Sequence, residues 1–212
     1  MNFIDEKLTE YMISHSSAEP ELLADLRRET WQKVLYPRML SGEQVGRFLS
    51  LMSAIIKPEK VLEIGTYTGY ATLCLAGGLA PGGVVHTIDN NEELTAIQEK
   101  YFSKSKYNKR IIRHLGDAMK VIPDIDGHFD LIFLDADKRR YPEYYRLIKT
   151  KIFPGSILIA DNVLWSGKVL DINDTEPDTA GIREFNRIVR EDPDVESVMI
   201  PLRDGISLIR FH

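Results

Sequence analysis

Five short apolar runs, each followed by a segment of helical pattern, occupy the middle of this 212-residue chain: Lys60–Ile64, Val84–Ile88, Arg110–Leu115, Phe129–Leu134 and Ser156–Ala160. Strands that alternate with helices require βαβ crossovers, and therefore a largely parallel sheet. The runs are continuous rather than alternately polar and apolar, as expected of strands covered on both faces. Helices are expected from the glycine turn after Ile64 to about Leu79, over Glu92–Lys104, Ala118–Ile122 and Pro142–Lys149, and over Ala180–Arg190. Leu164–Pro177 reads as a loop. Val195–Pro201 and Ile206–Phe211, joined by Leu202–Gly205, read as a closing antiparallel hairpin.

Upstream of Pro58 the pattern is helical only. Leu22, Leu23 and Leu26, then Trp31, Val34 and Leu35, recur near helical spacing. Ser41–Gln44 opens a second periodic segment through Val45, Phe48, Leu49, Met52, Ile55 and Ile56, which Pro58 ends. The expectation is one α/β domain over residues 1–212, with residues 1–58 as a helical cap on a core at 59–212.

The net charge is −5 and no dense Lys/Arg block is present, which argues against nucleic acid or an anionic membrane as partner. No apolar run approaches the length of roughly 18 residues that a membrane span needs. Met1–Glu6 carries neither the basic nor the apolar part of a leader. Cys74 is the single cysteine, set in the apolar stretch Ala71–Ala76, and reads as a buried, inert thiol. A cytoplasmic location is the expectation these features carry.

The segment Val61–Leu62–Glu63–Ile64–Gly65–Thr66–Tyr67–Thr68–Gly69–Tyr70 is a strand, a turn and a helix start. Gly65 and Gly69 let the backbone turn sharply and a ligand approach it closely. The spacing is not G-x-G-x-x-G, so the pyrophosphate logic of a dinucleotide site is lost. Asp89 lies 20 residues after Gly69, at the end of the second strand. An acid there accepts hydrogen bonds from ribose hydroxyls. It also suits a plain cap on the helix that follows. Glu63 is expected to face the same crevice and to suit a cationic ligand end.

The fourth strand runs into Asp135–Ala136–Asp137–Lys138 and the fifth into Asp161–Asn162. Carboxyl ends of parallel strands line the ligand crevice of an open α/β sheet, so Asp135, Asp161 and Asn162 are candidates to converge there. They offer oxygen donors only, which select a hard cation, Mg²⁺ first, with Ca²⁺ or Mn²⁺ as alternatives. Lys138 follows Asp135 by about one helical turn, and a nearby dication would lower its pKa toward that of a general base. Arg139 and Arg140 read as solvated surface.

Taken together, these motifs resemble the cation-dependent small-molecule O-methyltransferases, the catechol and caffeoyl-CoA type with its short bacterial members. The resemblance covers about residues 37–212. It rests on Met39-x-Ser41-Gly42, on the segment Val61–Tyr70, on Leu134-Asp135-Ala136-Asp137-Lys138-x-x-Tyr141-x-x-Tyr144, on Asp161-Asn162-Val163-Leu164-Trp165-x-Gly167, and on Pro201-Leu202-x-Asp204-Gly205.

The resemblance implies a class I methyltransferase, Rossmann-like fold. Its seven-stranded, mostly parallel sheet would carry a C-terminal antiparallel hairpin strand, helices on both faces and extra N-terminal helices. It implies S-adenosylmethionine as cofactor, with Met39, Ser41, Glu63, Gly65, Tyr67 and Ala71 at the methionine and ribose end. Asp89 would hold the ribose, and Asp117 and Ala118 would sit at the adenine. Asp135, Asp161 and Asn162 would bind the metal, and Lys138 would be the base. Tyr144 would flank the cofactor end, while Asp137, Lys138 and Trp165 would face a catechol-like or phenolic acceptor. It also implies a homodimer. A metal-independent methyltransferase, an NAD-binding oxidoreductase and a non-catalytic S-adenosylmethionine sensor stay open as alternatives.

Overall fold

The computed structural model describes residues 5–212; the reading of Met1–Glu6 as lacking the parts of a leader falls partly on residues 1–4, outside the described residues. Three helices come first: α1 (Glu6–Ser14), α2 (Glu21–Lys33) and α3 (Gly42–Ile56). Then follow β1 (Lys60–Ile64), α4 (Tyr70–Ala76), β2 (Val84–Asp89), α5 (Thr95–Lys104), β3 (Ile111–Leu115) and α6 (Ala118–Asp124). The chain closes with β4 (Leu131–Leu134), α7 (Tyr141–Ile148), β5 (Ile157–Asp161), α8 (Pro177–Glu191), β6 (Val195–Ile200) and β7 (Ile206–Phe211).

The seven strands form one sheet in the order β3-β2-β1-β4-β5-β7-β6. β1 pairs in parallel with β2 on one side and β4 on the other, while β7 runs antiparallel to both β5 and β6. The direction of winding therefore reverses between β1 and β4, and the crevice outside their carboxyl ends is where such sheets bind ligands.

Both faces of the sheet are covered. Leu62, Ile64, Ile132, Leu134 and Leu158 pack under α6, α7 and α8, with Tyr141, Tyr145 and Phe185. Val61, Leu131, Phe133 and Ile159 point the other way, against Leu26, Val45, Leu49 and Tyr70 from α2, α3 and α4. This two-sided burial is the reason β1, β4 and β5 show no polar alternation.

Some expected boundaries moved. α4 stops at Ala76 because Gly77–Gly78 follow it. β4 begins at Leu131, although Phe129 is fully buried and its N–H donates to the Lys151 carbonyl at 2.9 Å. The stretch expected as loop contains two 3₁₀ turns over Trp165–Leu170, broken by the left-handed Ser166 and Gly167. Trp31 and Leu35 do not join the core: α2 ends at Lys33, and both side chains stay exposed. No helix among the described residues is long and apolar enough to cross a membrane. Cys74 is enclosed, and burial pushes its thiol up to about 12.

Candidate active site

A cleft of about 1080 Å³ opens at the carboxyl ends of β1, β2, β4 and β5. Its floor is the glycine turn. Gly65 has φ +104, and a Cβ there would strike the carbonyl oxygen of Asp135. That close approach locks the turn after β1 against the end of β4. The Asp135 N–H completes the contact by donating to the Ile64 carbonyl at 2.9 Å.

One side of the cleft carries the charged cluster. Lys138 is only 8% exposed. Its Nζ donates to Asp135 Oδ1 at 2.7 Å and to the Tyr141 hydroxyl at 2.8 Å. Burial alone would lower the Lys138 pKa, but the attraction of Asp135 and the contact with Tyr141 hold it above the ordinary lysine range. Because Asp135 and Tyr141 outweigh burial, a net lowering depends on an added cation.

Asp161 ends β5 and is 3% exposed. Burial, and then repulsion from Asp135, pushes its carboxyl up to about 7. Its Oδ1 accepts the Asn162 N–H at 2.7 Å. Asn162 itself sits at φ +60, a left-handed conformation that asparagine tolerates better than most residues. Asp135, Asp161 and Asn162 all line the cleft.

Two partly or wholly buried carboxylates and one amide on the cleft lining offer oxygen donors only, and Lys138 pairs with just one of the carboxylates. That composition fits a hard divalent ion. Among the described residues no three His, Cys, Asp or Glu side chains group together; the donors the cleft offers here are two carboxylates and one amide.

The other side of the cleft is polar and built from turns. Asp89 Oδ2 accepts the Tyr67 N–H at 2.7 Å, and Oδ1 accepts the Asn91 N–H at 2.8 Å. Asp89 therefore braces two turns, but the cap of the 3₁₀ turn that follows is Asn91, whose side chain accepts the Glu93 N–H, and not Asp89 as the plainer reading had it. Asp89 also lines the cleft, and each oxygen keeps a lone pair free. Tyr67 is left-handed at φ +50, and its hydroxyl donates to the Tyr36 carbonyl at 2.9 Å. Asp117 caps α6 through the Met119 N–H at 3.0 Å. Ala118 and Tyr144 stand beside it on the cleft wall.

Met39, the last residue of the 3₁₀ turn before α3, and Ser41, at the start of α3, line the cleft. Arg203, in the β6–β7 turn, holds this stretch. Its guanidinium donates to the carbonyls of Leu40, at 2.7 Å, and Ser41.

Not every expected residue reaches the cleft. Glu63 and Ala71 are absent from its lining. Glu63 lies on the α4 side of β1, fully buried, with Oε2 accepting from Thr72 and, at 2.5 Å, from Thr87. Burial pushes its carboxyl up to about 8, and Oε1 has no partner. Ala71 packs into the core on the same side. Asp137 does line the cleft, but its carboxylate is forked onto Arg139 at 2.9 and 2.6 Å. Trp165 lines the cleft with its indole N–H buried and unpartnered.

Three residues of the site escaped the sequence reading. Arg140 is not free surface: it pairs with Asp117 at 3.0 Å and lies over the Tyr144 ring at 5.4 Å. Arg203 and Tyr141 act through partners distant in sequence. Tyr141 stands in the Leu134–Tyr144 motif without a role, although it lies one turn after Lys138.

The model of the family described as O-methyltransferase matches residues 13–211. A catechol O-methyltransferase of Niastella koreensis is 32% identical over 81% of this chain and 82% of its own length. A caffeoyl-CoA O-methyltransferase of Zea mays is 30% identical over 97% of this chain and 83% of its own. Among solved structures, the Bacillus cereus O-methyltransferase in complex with SAH superposes with a TM-score of 0.90 at 27% identity, over 97% of both chains. The Streptomyces achromogenes O-methyltransferase TomG in complex with SAM gives 0.89 at 26% identity, over 97% of this chain and 96% of that one. By the length of this match, and with the same fold, the chain is an enzyme of the O-methyltransferase family.

Proposed function

We propose that this protein transfers a methyl group from S-adenosylmethionine to a hydroxyl of a small catechol-like or phenolic acceptor, with a divalent cation held by Asp135, Asp161 and Asn162. Mg²⁺ is the ion this donor set suits best, with Ca²⁺ and Mn²⁺ as alternatives. One observation carries the reading. A lysine paired to a carboxylate, a second buried carboxylate and an amide share a cleft with the Gly65 turn and Asp89. The catechol and caffeoyl-CoA relatives, and the neighbours solved with SAM or SAH, support the same class of cofactor and acceptor.

When bound, S-adenosylmethionine supplies a methyl group on a sulfonium, and a divalent cation supplies charge that acidifies both the acceptor hydroxyl and the Lys138 ammonium. The chain's own residues do the rest. Asp89, fixed by two backbone N–H groups, orients the ribose hydroxyls. Gly65 and Tyr67 shape the turn against the methionine end, with Met39 and Ser41 opposite. Asp117, Ala118 and Tyr144 form the adenine end. Lys138 takes the acceptor proton at Nζ. Trp165 and Asp137 bound the acceptor side. Holding acceptor oxygen and methyl donor in one orientation supplies most of the acceleration.

The paired Lys138 ammonium also favours a second reading, in which the lysine alone neutralises Asp135 and no ion is used. A methyl-transfer screen over catechols and hydroxycinnamates separates the two. Under the first reading EDTA abolishes turnover and Mg²⁺ restores it; full turnover in EDTA selects the second.

The proposal extends to a homodimer. Leu51 and Ile55 on α3 stay exposed and would suit a second copy. A cytoplasmic setting rests on the lone, buried Cys74. Sedimentation at micromolar concentration checks the first, and a monomer throughout removes it.

A further inference from the structure

We propose that Tyr141 is a positioning residue, whose hydroxyl holds the Lys138 ammonium and the ends of β4 and β5 in one arrangement; this rests on the proposed metal site. The hydroxyl oxygen accepts from Lys138 Nζ at 2.8 Å. Its own proton has two acceptors, the Leu134 carbonyl and the Asp161 carbonyl, each at 3.0 Å. Leu134 is the residue before Asp135, and Asp161 is the residue before Asn162. One atom thus touches the base and the backbone of both segments that carry the oxygen donors.

The location matters because the sheet no longer ties these segments together there. The β4–β5 ladder ends at the pair Leu134 and Ala160. Beyond it Asp161 pairs with Ile206 on β7 instead. Nothing in the ladder fixes Asp135 against Asp161, and the Tyr141 hydroxyl bridges that gap. The ring is itself fixed: it is fully buried and stands edge-on to Phe185 at 5.4 Å. From the far side Gly181 of α8 backs onto Lys138 so closely that a Cβ would strike the Lys138 carbonyl. A phenylalanine would fill the same apolar volume, so packing alone does not account for the hydroxyl. Groups of this kind, which orient the residues that hold an ion, typically affect metal affinity or activity by about 10–100-fold.

Tyr145 is the internal control. It sits on the same helix, also edge-on to Phe185, at 5.8 Å, and its hydroxyl donates to Asp192 at 2.8 Å, away from the donor set. The test uses Y141F and Y145F in the full chain. Mn²⁺ binding is measured by electron paramagnetic resonance in the presence of S-adenosylhomocysteine, whose own affinity is followed by calorimetry. The expected result is Mn²⁺ affinity about tenfold weaker in Y141F and unchanged in Y145F. S-adenosylhomocysteine affinity stays within about twofold in both, and melting temperatures fall by similar amounts. Wild-type Mn²⁺ affinity in Y141F, or an equal loss in both variants, overturns the role of Tyr141 while leaving the metal site standing. A wild-type protein that binds no Mn²⁺ overturns the metal site and this inference with it.

Discussion

Lys138 donates to Asp135 across 2.7 Å, from a position that is nearly closed to solvent. Under the proposed chemistry this lysine receives the acceptor proton. Lys138→Ala should lower kcat by about 10²–10⁴-fold, the usual weight of a general base, with cofactor affinity nearly unchanged. Single-turnover methyl transfer alongside calorimetry checks this, and a wild-type kcat would remove Lys138 from the role.

Gly181 sets the backbone behind that lysine. Its missing side chain is what lets α8 approach the turn at Lys138 and Arg139. Gly181→Ala inserts a methyl group where only backbone lies, and overpacking of this kind costs about 1–3 kcal/mol. Denaturant unfolding should report that loss, and kcat should fall with it because the Lys138 turn must shift. A variant as stable and as active as wild type contradicts the close approach.

Arg203 ties the β6–β7 turn to the segment that presents Met39 and Ser41. It has a left-handed φ of +50, so Arg203→Gly removes the guanidinium without straining the backbone. Hydrogen bonds from a charged donor contribute about 1.5–3 kcal/mol. Loss of the clasp should raise the KM for S-adenosylmethionine about tenfold or more. The effect on kcat at saturating cofactor should be small. An unchanged KM would mean that the segment holds its place unaided.

Glu63 makes stability depend on pH in a stated direction. Burial raises its folded value to about 8, well above the 4.5 of an unperturbed glutamate. Between those two values the folded state holds a proton that the unfolded state has released. Its contribution is therefore complete below about pH 4.5 and is lost as pH rises through about 8. Asp161, raised to about 7, adds a slope of the same sign in ion-free protein. Glu63→Gln should flatten the Glu63 part of the slope and leave the rest. Urea titrations from pH 5 to pH 8.5 on both proteins measure it, and parallel curves would contradict a protonated Glu63.

The sequence was most readable where local rules decide. A strand, a glycine turn and a helix start at 60–70 could be read directly, and so could oxygen donors at the ends of β4 and β5. The failures have physical causes. β1 is apolar on both faces, so no alternation revealed that Glu63 looks toward α4 and Thr72 rather than into the cleft. Arg140 sits in a basic run that resembles solvated surface, yet it reaches back 23 residues to Asp117. Arg203 contacts carbonyls more than 160 residues away, which no local pattern encodes. Trp165 and Ser166 both take left-handed φ values, +46 and +53, so the 3₁₀ turns there run against residue preference and read as loop.

The most direct test of the proposed centre is a crystal structure of the chain soaked with Mn²⁺ and S-adenosylhomocysteine, read by anomalous scattering. A single peak should lie within coordination distance, roughly 2.0–2.6 Å, of the carboxylates of Asp135 and Asp161 and of the Asn162 amide oxygen. A well-ordered cofactor in the cleft with no peak there, or with a peak that omits Asp161 and Asn162, would contradict it.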